Sequence, residues 1–369
     1  MRIAVLGGGT IPSPPWDYGS EVAPWLAART LAAQGDTVEF FATGGSGWAP
    51  GIRLHYLPGG YGEVVPAYDR LAWDWYGDVL AACDIIHDWS HSAATVEALH
   101  LAGVAVPTLY TRNGIDFSRP RWGRERAVVL SEAARQCART GTGAWADVDP
   151  PYREWNRDPG RLDDAAVVPY GVDLHWYTPG TSDPADYLLY IGRPHPSKGV
   201  DRILGLAAVR PDVSFVLAWR PTLPDHHRWA AVYARAAAQL PNVRIVTLPL
   251  IGHQSAKRRW LQGARALIQP TRYVEAFGLT AIEALACGVP VLLGDKGSAP
   301  EIVRPGVTGF LLPPGDTRWN PDPWLEALDQ VATLDRRACR ADAEARWGVE
   351  TMVDRYRILY ALARKGETW

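Results

Sequence analysis

The pattern that most constrains this chain is an alternation of short apolar runs with helical segments, and it occurs twice. Residues 2–6 (RIAVL) predict a buried strand, 20–34 predict a helix that ends at Gly35, and 38–42 predict a second strand. Alternating strands and helices are typical of a parallel sheet with helices on both faces. The first half of the chain is therefore expected to form a doubly wound α/β domain.

The same alternation begins again at Tyr187 and continues to a final helix over 349–364. Between the two runs, Leu174–Asp186 contains two prolines and a glycine without periodicity, which predicts a linker. The 369 residues fit two domains of ordinary size. We expect an N-terminal domain over 1–173, the linker over 174–186, a C-terminal domain over 187–348 and a terminal segment over 349–369.

Charge and hydropathy exclude several classes of protein. The formal net charge of −2 predicts no global attraction to nucleic acid or anionic membranes. The opening apolar run, Ile3–Leu6, is too short for a signal peptide, and no run of 18 apolar residues follows, so a cytoplasmic protein is expected. The four cysteines are far apart and lack a CxxC pair, so they indicate neither a zinc site nor a disulfide framework.

The residues that point to chemistry lie at 269–313. Glu275 and Glu283 flank Phe277-Gly278-Leu279, where a helix is expected to begin. Gly278 allows a ligand to approach the backbone, and the free N–H groups of the first helical turn form an anion site. Glu283 would stand about one turn into the same helix. A carboxylate there can accept hydrogen bonds from two neighbouring hydroxyl groups, as on a ribose.

These residues closely resemble the GT4 family of retaining glycosyltransferases. The family's E-x-F-G-x(4)-E motif is matched by Glu275, Phe277, Gly278 and Glu283. Its A-x-G-x-P-V and PE-x-V-x-x-G-x-x-G-x-L segments are matched by Ala286, Gly288, Pro290 and Val291, and by Pro300, Glu301, Val303, Gly306, Gly309 and Leu311. The resemblance implies the GT-B fold, in which two Rossmann-like domains with doubly wound parallel sheets face each other across a cleft. It also implies a nucleotide-sugar donor.

The resemblance assigns roles to further residues. Arg193 and Lys198 fall where the family has a basic pair that binds the donor diphosphate, and Gly19 falls where a backbone amide faces that diphosphate. Glu275 would read a sugar hydroxyl and Glu283 the ribose. Donor binding is further assigned to Phe277, Gly278 and Leu279. The resemblance also implies that the acceptor binds the N-terminal domain and the nucleotide sugar the C-terminal domain, and that the final helix within 349–369 returns to the N-terminal domain.

A histidine that lies over the donor sugar in this family has two candidates here, His87 and His91, in the segment DIIHDWSHSAAT. We favour His91 because His87 directly ends a predicted strand and is equally suited to packing in the core.

The mechanism implied is a front-side displacement with retention of configuration. The acceptor hydroxyl group attacks on the face from which the diphosphate leaves, and the departing phosphate takes its proton. Neither a metal nor a cofactor beyond the nucleotide sugar is expected. The sequence therefore predicts a hexosyltransferase that uses a UDP- or GDP-linked sugar, without deciding which.

The acceptor and the base stay open at this point. The range 112–139 contains seven arginines and three carboxylates. This excess of positive charge is compatible with an anionic acceptor such as a phosphosugar, a lipid or modified nucleic acid, but a solvated helix face in an arginine-rich chain is the preferred interpretation. Trp122 would be able to stack on a nucleic-acid base. Near the nucleobase, Ala218-Trp219-Arg220-Pro221 replaces the family's glycine turn, so Trp219 either stacks on the base or packs in the core. The oligomeric state is likewise undecided.

Two further motifs in the sequence are weaker, and two other classes of function share features with it. Gly7-Gly8-Gly9 does not complete a dinucleotide fingerprint, because Pro12 replaces its third glycine. Asp147-Val148-Asp149 is followed by two prolines and indicates a loop. The alternatives are a nucleotide-sugar 2-epimerase of the same fold, which would turn over without an acceptor, and a non-catalytic glycan- or nucleotide-sugar-binding protein.

Overall fold

The structure is a computed structural model that describes most of the chain. The described ranges are 1–7, 19–43, 49–58, 66–90, 93–114, 126–140, 164–181, 185–249, 253–314 and 319–369. They form two compact units. The first contains the described residues up to 140, together with 164–171 and 349–369, and the second contains those from 172 to 348.

The first unit is built on a parallel sheet with the strand order β3-β2-β1-β4-β5-β6-β7. Its strands are β1 (Arg2–Leu6), β2 (Thr37–Thr43), β3 (Ile52–Leu57), β4 (Ile85–Asp88), β5 (Thr108–Thr111), β6 (Ala127–Val129) and β7 (Ala166–Val167). Its helices are α1 (Gly19–Ala33), α2 (Pro66–Ala81), α3 (Ala94–Leu101), α4 (Glu132–Thr140) and α12 (Val349–Arg364). The strand order reverses between β1 and β4, and open sheets of this kind bind ligands at the carboxyl ends beside such a switch point.

The second unit repeats this architecture with the strand order β10-β9-β8-β11-β12-β13. Its strands are β8 (Leu188–Ile191), β9 (Phe215–Trp219), β10 (Val243–Thr247), β11 (Ala266–Gln269), β12 (Val291–Gly294) and β13 (Gly309–Leu312). Its helices are α5 (Val200–Val209), α6 (Pro224–Ala237), α7 (His253–Gly263), α8 (Leu279–Ala286), α9 (Ala299–Ile302), α10 (Asp322–Gln330) and α11 (Arg336–Arg346), with short 3-10 helices at Pro196–Lys198 and Val331–Thr333. Here the switch point lies between β8 and β11.

Burial explains why the strands of the second unit are so apolar. Every residue of β8, β11 and β12 is buried. Parallel strands covered by helices on both faces have no solvent side, so runs such as LLYI and VLLG replace an alternation of apolar and polar residues. The prediction of two doubly wound parallel-sheet domains is confirmed.

Strand β3 and helix α2 of the first unit were not predicted from the sequence, and neither were β13 and helices α9, α10 and α11 of the second unit. β3 lies at the edge of its sheet and carries Arg53 and His55. Both side chains bind the buried Glu39 carboxylate on β2, Arg53 Nη1 at 3.2 Å and His55 Nε2 at 2.8 Å. Although burial alone would raise it, the hydrogen bonds from His55 and Arg2 bring the pKa of Glu39 below its usual value. Because Arg53 and His55 are polar residues that bind Glu39 on the neighbouring strand, β3 lacks the apolar pattern by which a strand is recognised in a sequence.

The predicted final helix is α12, Val349–Arg364, and it belongs to the first unit. Its Tyr356 and Tyr360 hydroxyl groups contact Thr111 Oγ1 at 3.0 Å and His87 Nδ1 at 2.7 Å. The described part of the segment 174–186 belongs to the second unit. There Arg340 on α11 donates to the carbonyl oxygens of Leu174 and Tyr177, at 3.1 and 2.6 Å.

The four cysteines are free thiols, three of them buried and Cys137 half-buried. In the described ranges, no helix is both long enough and apolar enough to cross a membrane.

Candidate active site

Arg193 and Lys198 lie in the loop that follows β8, at the switch point of the second sheet. The Tyr190 hydroxyl group donates to the Arg193 carbonyl oxygen at 2.7 Å, which anchors the start of the loop. Lys198 ends the first 3-10 helix and is 92% buried. Gly199 follows with φ +73°, where a Cβ atom would stand 2.1 Å from the Pro270 carbonyl oxygen. Only glycine allows this close approach to the end of β11.

Lys198 and Glu275 form the centre of the site. Lys198 Nζ lies 2.6 Å from Glu275 Oε1 and 4.8 Å from the centre of the Tyr273 ring. Burial would lower the pKa of Lys198, but the Glu275 carboxylate and Tyr273 outweigh it and raise that pKa above its ordinary value. The amine is therefore held protonated at neutral pH, beside a carboxylate that is partly open to solvent.

The loop after β12 fixes the backbone of Glu275. Ser298 donates its backbone N–H to the Glu275 carbonyl oxygen at 3.1 Å. Gly297 has φ +61°, and a Cβ atom there would stand 2.5 Å from both the nitrogen and the oxygen of Glu275. Glu275, Gly278, Lys296 and Ser298 share the lining of a cavity of about 20 Å³, room for a single water molecule.

Helix α8 begins at Leu279, after Gly278, as the sequence predicted. Glu283 stands in its second turn and is almost fully buried. The Lys257 amine on α7, equally buried, forms an ion pair with Glu283 Oε2. Lys257 was not predicted as a site residue. A lone lysine in a polar helix resembles any surface lysine, and its pairing with Glu283 depends on how α7 packs against α8.

Replacing Lys257 by methionine should destabilise the second unit by about 3 kcal/mol, because it leaves the Glu283 carboxylate buried without its cation. Urea denaturation followed by circular dichroism measures the effect. The double variant Lys257→Met/Glu283→Leu is the control, because it removes both charges, and it should recover most of the loss. Equal destabilisation of the single and double variants would contradict the pairing.

Of the two candidate histidines in the first unit, the structure describes only His87. His87 is fully buried at the end of β4, and its two ring nitrogens bind the Tyr360 hydroxyl group and Thr111 Oγ1, both at 2.7 Å. Burial also holds its pKa well below the ordinary value. Both ring nitrogens are thus used within the unit, which favours the packed interpretation of His87. His91 lies outside the described residues.

Other residues singled out in the sequence are placed as follows. Gly19 is the first residue of α1, which follows β1 at the switch point of the first sheet. Trp219 is buried in the core of the second unit, where its ring centre lies 6.4 Å from that of Tyr233. Phe277 packs on Trp347 with ring centres 5.7 Å apart. Trp122, Asp147 and Asp149 lie outside the described residues.

The arginines of 112–139 are only partly described. Arg112 is buried directly after β5, whereas Arg135 is paired with Glu132 on the surface of α4 at 2.7 Å. Three of the seven, Arg119, Arg121 and Arg124, lie outside the described residues. Where side chains are described, no three His, Cys, Asp or Glu residues cluster as metal ligands would.

The chain is similar in sequence to known families and proteins. Residues 179–346 match the family model of glycosyl transferases group 1. The chain is 34% identical over 203 residues to a D-inositol 3-phosphate glycosyltransferase of Mycobacterium sp. (strain JLS), covering 50% of this chain and 43% of that protein. A protein with the same name from Stackebrandtia nassauensis is 29% identical over 388 residues, 89% of this chain and 82% of its own. The chain thus spans less than half the length of the Mycobacterium relative.

Solved structures match the fold over the whole chain. AviGT4, a glycosyltransferase involved in avilamycin A biosynthesis, has a TM-score of 0.70 at 21% identity and covers 100% of this chain and 99% of its own. Anabaena HepE in complex with UDP-glucose has a TM-score of 0.69 at 16% identity, covering 98% and 99%. These similarities show that the chain has the GT-B fold.

Proposed function

We propose that the chain is a glycosyltransferase of the group 1 (GT4) type, which transfers a hexosyl group from a UDP- or GDP-linked sugar to an acceptor hydroxyl group. The observation that carries the proposal is the contact between Lys198 and Glu275, beside the start of α8. A protonated amine, a half-open carboxylate and free helix N–H groups in one place suit a leaving diphosphate and a sugar hydroxyl group.

Catalysis would be electrostatic and positional. Arg193 and Lys198 stabilise the negative charge that grows on the diphosphate as the sugar bond breaks. The acceptor hydroxyl group attacks from the same face, so the anomeric configuration is retained, and the departing phosphate oxygen takes its proton. Glu275 holds the sugar, as does His91 in this proposal, so the reacting atoms are aligned before the bond breaks.

Glu283 would bind the ribose. In the structure this carboxylate is paired with Lys257, so the ribose hydroxyl groups would bind a carboxylate that Lys257 already holds in place. Ribose is common to UDP and GDP, so this contact does not discriminate between them. That HepE is solved with UDP-glucose supports testing uridine donors first.

For the acceptor, we propose an anionic molecule of the phosphorylated polyol class. The names of the Mycobacterium and Stackebrandtia relatives specify D-inositol 3-phosphate. In this chain, the buried Arg112 follows β5 at the carboxyl edge of the first sheet, and α4 adds Arg135 and Arg139.

The experiment is a panel of UDP- and GDP-hexoses, each tested with phosphorylated and neutral polyols, with nucleotide release and product configuration followed by NMR. We expect release that requires an acceptor and a product that retains the donor's configuration. Turnover of the nucleotide sugar without an acceptor would instead indicate the 2-epimerase. Binding without turnover by any pair would indicate the non-catalytic protein.

Activity should be unchanged in excess EDTA, because Arg193, Lys198 and the N–H groups of α8 are proposed to supply the charge stabilisation that a metal supplies in other enzymes. Initial rates with and without EDTA, after prior dialysis, measure this directly. Loss of activity that Mg²⁺ or Mn²⁺ restores would contradict this metal independence and would make Asp147 and Asp149 the candidate metal ligands.

A further inference from the structure

In the sequence, His195 lies between Arg193 and Lys198, the two cations of the proposed diphosphate site, and it is 93% buried. It caps the 3-10 helix that ends at Lys198: its Nδ1 accepts the Ser197 N–H at 3.2 Å and lies 2.7 Å from Ser197 Oγ. Because Nδ1 accepts a backbone proton, the ring proton of the neutral imidazole is assigned to Nε2. The side chain therefore shapes the turn that carries Lys198.

The other side of the imidazole faces helix α6. Nε2 lies 3.4 Å from Asp225 Oδ2, in the first turn of that helix. The next residue, His226, is also buried, and its Nδ1 lies 3.2 Å from Thr222 Oγ1. His227 follows and is exposed. The side chain of His195 thus connects the loop to α6, because its Nε2 atom lies near the Asp225 carboxylate.

The loop has separate anchors on its other sides. Tyr190 on β8 holds the Arg193 carbonyl oxygen. After β11, Arg272 donates its backbone N–H to the Ser197 carbonyl oxygen at 2.8 Å and its Nη1 to that of Pro196 at 3.1 Å. These contacts all reach the backbone of the loop from β8 and from the segment after β11. The contact with α6 is made by the side chain of His195.

We propose that His195 is a positioning residue of the diphosphate site, which holds the loop of Arg193 and Lys198 against α6 through Asp225. The inference rests on the proposed function, since it concerns the site to which that function assigns the diphosphate. It adds a residue that is not expected to touch the donor. Its effect is to keep two cations within reach of one diphosphate before the ligand arrives, which lowers the cost of organising the site.

The charges around His195 give this role a measurable signature. Burial and the neighbouring Arg193 lower the pKa of His195 to about 4, with a smaller effect from Lys198, while Asp225 acts in the opposite direction. His226, on the α6 side, has its pKa lowered to about 4 by burial, Arg193 and His195. A bound diphosphate would offset the two cations, so the pKa of His195 should rise on binding.

The direct test is an NMR titration of the chain with labelled histidine, with and without saturating UDP or GDP. The variant His195→Asn identifies the His195 signal. We expect that signal to titrate near pH 4 in the free chain and at a clearly higher pH with the nucleotide. If the nucleotide binds and the signal does not move, this inference is wrong while the proposed function stands. If neither nucleotide binds, both are wrong.

A double-mutant cycle tests the link to α6. Asparagine at 195 still accepts the Ser197 N–H as a helix cap but is too short to reach Asp225. We expect His195→Asn and Asp225→Ala each to raise the Kd for the nucleoside diphosphate about tenfold, and the double variant to be no worse than either. The exposed His227→Asn, on the same helix, is the matched control and should leave the Kd unchanged. Fully additive effects, or no effect of either variant, would overturn the link.

Discussion

Lys198→Ala should lower kcat by roughly a hundredfold or more while the chain stays folded. The Lys198 amine is held charged by Glu275 at 2.6 Å, in surroundings from which water is largely excluded. In such a place, a fixed cation acts most strongly on charge that develops as the diphosphate leaves. The effect should therefore appear in kcat rather than in the KM for the donor alone.

Steady-state kinetics at saturating donor and acceptor measure the loss, and circular dichroism checks the fold. Arg193→Ala should have an effect of the same order, because it removes the other cation of the loop. Lys365→Ala, an exposed lysine after α12, is the control and should retain full activity. Near-normal turnover in both site variants would contradict the assignment of Arg193 and Lys198 to the diphosphate.

Gly297→Ala should lower kcat by about a hundredfold, although residue 297 is not proposed to touch the substrate. The new Cβ atom would stand 2.5 Å from the Glu275 nitrogen and oxygen. Both are backbone atoms, so a side-chain rotation cannot relieve the clash. The positive φ of +61° adds strain for any residue with a Cβ atom. The loop after β12 must shift, and Glu275 must move with it.

The control for this prediction is Gly205→Ala. Gly205 lies inside α5 of the same unit, and a Cβ atom there meets nothing within 4 Å. Alanine favours a helix interior over glycine by roughly 0.5–1 kcal/mol, so this variant should be fully active and slightly more stable. The prediction is tested by measuring kcat and the thermal unfolding temperature of the two variants in parallel. Normal kcat in Gly297→Ala would show that the position of Glu275 is not set by this contact.

The elements of the second unit from β8 to β12 were predicted from the sequence, for physical reasons. Buried strands such as β8 and β12 are continuous apolar runs, and the motif around Gly278 requires a particular backbone conformation. Both features can therefore be recognised from the local sequence. In the first unit, β3 is an edge strand whose Arg53 and His55 are satisfied by Glu39 on β2. That strand is explained only by its contacts with β2 in the folded chain, which the local sequence does not show.

The same distinction separates the site residues that were predicted from those that were missed. Lys198, Glu275 and Glu283 lie at recognisable spacings. Lys257 and Asp225 act through partners more than 25 residues away, and no local pattern relates them to Glu283 or His195. His87 shows the converse, because a motif position at the end of a strand proves to be a buried residue bonded to Tyr360 of the last helix.

The most direct test of the account is a calorimetric titration with a nucleoside, its monophosphate and its diphosphate, in the uridine and guanosine series. It is made on the chain and on the double variant Arg193→Ala/Lys198→Ala. We expect that, for at least one base, affinity rises steeply from nucleoside to diphosphate in the chain and that this gain disappears in the variant. Equal affinity for the nucleoside and the diphosphate, or an undiminished gain in the variant, would contradict the claim that these two side chains form a diphosphate site.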